Sequence, residues 1–110
     1  MEIEHIDGVT VVRLFGRITR GRECLGLEAL VRRLIREEQK RVVLDLGRVD
    51  YLDSMGVGTL ALACAVARQA GGDVRVSAAT GRVLGVLKLT HMDAVLRVYG
   101  TVAEAASGWN

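Results

Sequence analysis

Arg41-Val42-Val43-Leu44-Asp45-Leu46 leaves this chain few folds to choose from. A strand so apolar, rich in β-branched residues and without regular polar alternation, has to be covered on both faces, as strands are in a sheet packed with helices. Helical patterns stand on either side of it. Leu27, Leu30, Val31, Leu34 and Ile35 recur at the spacing of one buried helical face, with Arg32, Arg33, Arg36 and Glu37 on the other. A helix is therefore expected from about Glu23 to Glu38. A second, from about Ser54 to Ala70, is Gly, Ala, Leu and Val almost all round, which places it largely inside. Gly71-Gly72 ends it in the left-handed conformation that glycine adopts cheaply.

The remaining elements fall into place around these. Ile3 to Ile6 and Val9 to Phe15 are short apolar runs joined by Asp7-Gly8, a pair suited to the positive φ angles of a type I′ hairpin turn. Gly47 to Asp53 reads as a loop and Asp73 to Ala78 as a strand. Gly81 to Leu89 reads as a short helix, Val95 to Tyr99 as a last strand, and Thr101 to Ala106 as a closing helix capped by its threonine. The order β, β, α, β, α, β, α, β, α implies an α/β fold. Its sheet is mixed and mainly parallel, with about five strands and about four helices, and it opens with a β-hairpin. At 110 residues the chain reads as one domain, residues 1–110. With one Trp, two Tyr and one Phe, the core must be built from Leu, Val, Ile and Ala.

Charge and composition argue against several functions. A net charge of +2 demands no polyanionic partner. Four arginines and no acid lie between Arg13 and Arg22. Without a helix-turn-helix, interleaved aromatics or zinc spacing, they read as a solvated loop rather than a nucleic-acid surface. Cys24 and Cys64 stand forty positions apart. They make neither a disulfide framework nor a CxxC motif, and Cys64 reads as a small buried hydrophobe. His5 and His91 lack partners at metal or triad spacing. No cofactor, no metal and no enzymatic activity is expected. Trp109, beside the C-terminus, is expected to fray. The first residues lack the form of a signal peptide, and Leu60 to Ala67 is too short to span a membrane. A cytoplasmic protein without membrane insertion is the expectation.

Asp53-Ser54-Met55-Gly56-Val57-Gly58 is the segment where function is most expected. It stands where a strand-derived loop enters a helix, and Ser54 is placed there as an N-cap. An added phosphate would be favoured by the free N–H groups and partial positive charge of a helix start. It would also put nearly two negative charges on a neutral surface and so switch off binding. Gly56 and Gly58 remove side chains and permit another backbone to approach. Gly56-Val57-Gly58-Thr59-Leu60-Ala61 also spells GxGxxA. A dinucleotide fingerprint, however, directly follows the first strand of a βαβ unit, whereas ten positions separate Leu46 from Gly56.

Over nearly its whole length the chain resembles a STAS domain, the fold of bacterial anti-sigma-factor antagonists. The likeness covers Val42 to Leu46, Asp53-Ser54 with Gly56, Val57 and Gly58, Gly71-Gly72, Val83-Leu84, and Val95 to Tyr99. Its most specific part follows the family pattern Asp-Ser-(Ser or Thr)-Gly-apolar-(Gly or Ala). In the family this serine is phosphorylated by a partner that is both a serine-protein kinase and an anti-sigma factor. The unphosphorylated domain binds that partner and frees the sigma factor. The resemblance implies phosphorylation of Ser54, with Asp53, Met55, Gly56, Val57 and Gly58 forming the partner surface. Met55 stands where the family usually has a small hydroxyl residue. Thr19 stands where it often has an aspartate, beside Arg17 and Arg20, so the partner would meet a more basic surface. The alternative is a STAS subunit of a larger assembly, such as a stress-signalling scaffold or a lipid-transport complex.

Overall fold

The computed structural model describes residues 1–109. Asp7 at φ 48° and Gly8 at φ 81° give the turn its paired positive angles. They fold strand β1 (Glu2–Ile6) antiparallel onto β2 (Val9–Ile18), in register from Ile6 opposite Val9 to Glu2 opposite Arg13. Every later neighbour is parallel: β2 to β3 (Arg41–Leu52), β3 to β4 (Asp73–Ser77), and β4 to β5 (Arg97–Tyr99). The spatial order is β1-β2-β3-β4-β5, the order of the chain. Parallel neighbours need crossovers, supplied by helices α1 (Arg22–Arg36), α2 (Ser54–Gln69) and α3 (Gly81–Leu89). A short helix, α4 (Val102–Ala106), closes the fold. The mixed five-stranded α/β sheet with an opening hairpin is the one expected.

The two faces of the sheet are covered unequally. Val12, Leu14, Val42, Leu44, Val74 and Val76 pack in the main core with Leu27 and Leu34 of α1, Leu60 of α2 and Leu87 of α3. Strands added in one direction with crossovers of one hand put those helices on the same side. Across the sheet, Val9, Val11 and Val43 form a smaller cluster with Ala105 of α4, and Val102, Ala106 and Trp109 are packed against it. Trp109, expected to fray, is packed against the sheet. Its ring lies 4.0 Å from the Arg75 guanidinium, and its carbonyl accepts from Arg41 Nη1 at 3.2 Å. Arg75, 8 % exposed, also donates to the carbonyl of Ala105 at 2.8 Å. This cation therefore fastens the closing segment to the sheet. Cys24 and Cys64 are both free and buried.

Three boundaries differ from the sequence expectation. Gly47 to Asp53 is not a loop, because β3 runs on to Leu52 and pairs with β2 as far as Ile18 opposite Leu52. The ladder shifts register between Arg13 and Phe15 and again between Gly16 and Arg17. Such bulges break the period-two alternation by which a strand is recognised. The basic stretch is likewise no solvated loop over most of its length: Arg13 and Arg17 lie in β2, and Arg22 opens α1. Arg13 forms ion pairs with Glu4 and Asp45. The last strand is shortened to Arg97–Tyr99, since a 3-10 turn at Met92–Ala94 takes up the chain before it.

Candidate functional site

β2 and β3 are longer than their neighbours, and their C-terminal ends meet the start of α2. The junction is held by Asp53. Its Oδ1 accepts from the Gly56 N–H at 2.7 Å and its Oδ2 from the Arg20 N–H at 2.8 Å. Its own N–H donates to the Ile18 carbonyl at 3.4 Å. One carboxylate thus caps α2 and ties down the loop between β2 and α1. This corrects the expectation for Ser54: the N-cap is Asp53, in extended conformation, and Ser54 is the first helical residue. A carboxylate accepts two N–H groups where a hydroxyl would satisfy fewer, and this junction has donors on two sides.

The N–H of Arg20, and then that of Gly56, hold the Asp53 carboxyl below its ordinary value of 3.8. A carboxylate depressed in this way adds stability above the unfolded-state pKa, and that stability is lost as pH falls through the lower folded value. Asparagine can still accept from Gly56, but its amide nitrogen cannot accept from Arg20. Asp53→Asn is therefore expected to be less stable than the parent at neutral pH, with the gap closing below about pH 4. Urea midpoints for both proteins from about pH 7 down to about pH 2.5 measure this; a gap constant over that range would show that the charge contributes nothing.

The residues expected at a partner surface divide into two groups. Ser54, Met55, Gly58, Arg17 and Arg20 are exposed, while Thr19 and Asp53 are half-buried. Met55 is 51 % exposed, a large apolar side chain beside the serine hydroxyl. Gly56 and Val57 face inward. A Cβ on Gly56 would lie 2.2 Å from the Ile18 carbonyl oxygen, so the backbone that approaches this glycine is the chain's own β2. Val57 belongs to the core at 6 % exposure and presents nothing to a visitor. Thr19 donates to Glu23 Oε1 at 3.2 Å. Sequence reasoning missed Tyr51, whose ring carries the Arg17 guanidinium 4.5 Å from its centroid. No local signal marked it, because the register shift between Val49 and Tyr51 leaves Val49 in the core and turns Tyr51 toward Arg17.

The surface that results has an exposed hydroxyl at a helix start, an apolar neighbour, and arginines on the adjoining strand and loop. It has no partner nucleophile or base in contact with Ser54 among the described hydrogen bonds. Among the described residues no group of three His, Cys, Asp or Glu side chains could hold a metal ion, and no helix is long and apolar enough to cross a membrane.

Comparison with known proteins places this geometry among relatives. A family model described as the STAS domain matches residues 1–105. BtrV of Bordetella bronchiseptica, which carries the provisional name of an anti-sigma factor antagonist, is 27 % identical over 99 % of this chain and 93 % of its own. The crystal structure of an anti-sigma factor antagonist from Mycobacterium paratuberculosis is 27 % identical, with a TM-score of 0.81 over 98 % of this chain and 91 % of that one. The phosphorylated form of the Bacillus cell fate determinant SpoIIAA shares the fold, with a TM-score of 0.72 at 18 % identity over 94 % of each chain.

Proposed function

This chain belongs to the STAS domain family, and on that premise we propose that it is an anti-sigma factor antagonist which binds an anti-sigma factor/serine-protein kinase and is released when Ser54 is phosphorylated. The observation that carries this reading is the position of Ser54: exposed, one residue past the capping Asp53, on the first turn of α2. Two similar proteins are named as anti-sigma factor antagonists. SpoIIAA, alike in fold, has been solved both with and without its phosphate. In the unmodified protein, Ser54, Met55 and Gly58 offer an uncharged contact that a partner can cover without desolvating an ion. Arg17 and Arg20 at its margin favour an acidic partner rim. A phosphate on Ser54 would bring a dianion next to the Asp53 carboxylate and end that neutrality.

The kinase that co-purifies with the protein from its own host supplies the test. Incubated with that kinase and ATP, the chain is expected to gain one phosphate, mapped by mass spectrometry to Ser54, and Ser54→Ala is expected to gain none. A phosphate on any other residue, or none on the unaltered protein, would overturn the reading.

A further inference from the structure

We infer that the outer edge of β2, beyond the end of β1, receives an extended segment of a partner protein in which apolar and acidic residues alternate. β1 pairs with β2 only from Val9 to Arg13, while Phe15 to Ile18 pair with β3 alone. Half of a long strand thus has a neighbour on one side and, among the described residues, no strand on the other. An unpaired strand edge is a template for another strand, because its outward N–H and C=O groups want partners.

The shape of the surface there fits the same conclusion. A cavity of about 290 Å³ opens at this edge and is lined from both faces of the sheet. Leu14, Ile18 and Leu27 come from the helix-covered side, and Phe15 and Arg17 from the other. A hollow bounded by both faces of a sheet is what a missing edge strand leaves. Met1 and Gly26 of α1 also line it, and a Cβ on Gly26 would lie 3.8 Å from Met1 Cε, an ordinary contact. Phe15 remains 39 % exposed at the mouth.

The chemistry of the occupant is indicated by the chain's own β1. Met1-Glu2-Ile3-Glu4 alternates apolar and acidic residues, Glu2 lies opposite Arg13, and Glu4 forms an ion pair with Arg13. Further along the edge, Leu14 and Ile18 are in the main core, so Phe15 and Arg17 stand on the opposite face, as Arg13 does. A strand continuing the line of β1 would meet Arg17 as β1 meets Arg13. Arg22 adds a second cation on the wall, against Glu23 as the one acid there. The inference shares Arg17 with the surface proposed to meet the kinase, but its peptide test involves neither the kinase nor Ser54, so the two can fail separately.

The test uses the whole chain and two six-residue peptides, one alternating valine with glutamate and one alternating valine with lysine. The glutamate peptide is expected to slow amide exchange at Leu14 to Ile18 about tenfold. Arg17→Glu, an exposed replacement, is expected to weaken its binding by about fivefold or more, and Arg17→Gln by less. Absence of protection up to about 1 mM peptide, or equal binding of the lysine peptide, would overturn the inference. So would protection of the same amides that rises with protein concentration alone, since a second copy would then own the edge.

Discussion

Replacing Gly56 with alanine is expected to destabilise the fold by about 3 kcal/mol, while the same replacement at Gly58 stabilises it by about 0.5–1 kcal/mol. Both glycines lie in the first turns of one helix, so intrinsic propensity favours alanine at each. Their surroundings decide the sign. A Cβ on Gly56 would sit 2.2 Å from the Ile18 carbonyl oxygen and 3.2 Å from its carbon, and both atoms are backbone. Backbone in a paired strand cannot turn aside as a side chain can, so α2 must lift from the end of β2. That movement would disturb the bonds joining Asp53 to Arg20, Gly56 and Ile18. At Gly58 nothing lies within 4 Å, so the added methyl costs no contact and restricts the unfolded chain. Urea midpoints of the two variants measure the contrast, which at Gly56 amounts to a Tm lower by roughly 15 °C. Two shifts of the same sign would mean that the approach to Ile18 does not govern this helix.

The contrast also marks how far the sequence could be read. The hairpin, the helices and the central strand were legible because each rests on local chemistry: Asp7-Gly8 for the turn, leucine spacing for α1, and Gly71 at φ 87° for the end of α2. The element order then fixed the sheet class, and the STAS pattern around Asp53-Ser54 singled out the start of α2 as the candidate site. What escaped depends on contacts between distant parts of the chain. Ser54 was expected to cap the helix, since serine and aspartate are both good caps; only the Arg20 N–H, thirty-three positions away, makes Asp53 the better one. Gly56 and Gly58 look alike in the sequence, yet one touches β2 and the other touches nothing. The end of β3 was mistaken for a loop because its bulges disrupt alternation, and with it went the pairing of Arg17 with Tyr51.

Ser54→Asp is expected to weaken binding of the anti-sigma factor kinase by more than about tenfold, whereas Ser54→Ala keeps affinity within about twofold. The two variants separate charge from shape. Alanine removes an exposed hydroxyl for which no bond within the fold is described, so the contact surface stays uncharged and nearly unchanged in form. Aspartate puts a carboxylate next to Asp53, whose own negative charge is already stabilised by two N–H donors. Free in solution that second charge costs little, because water solvates it and the helix start favours an anion. The variant should therefore fold as well as the parent, with a stability within about 0.5 kcal/mol of it. Covered by a partner, the same charge loses its water, and no cation is described in contact with Ser54 to replace it. Desolvating an unpaired carboxylate easily exceeds the roughly 1.4 kcal/mol that a tenfold loss requires. Isothermal titration of each variant with the kinase, alongside thermal unfolding of each alone, measures both quantities. Equal affinities for the aspartate and alanine variants would mean that the partner does not cover this end of α2, and the proposed switch at Ser54 would fall.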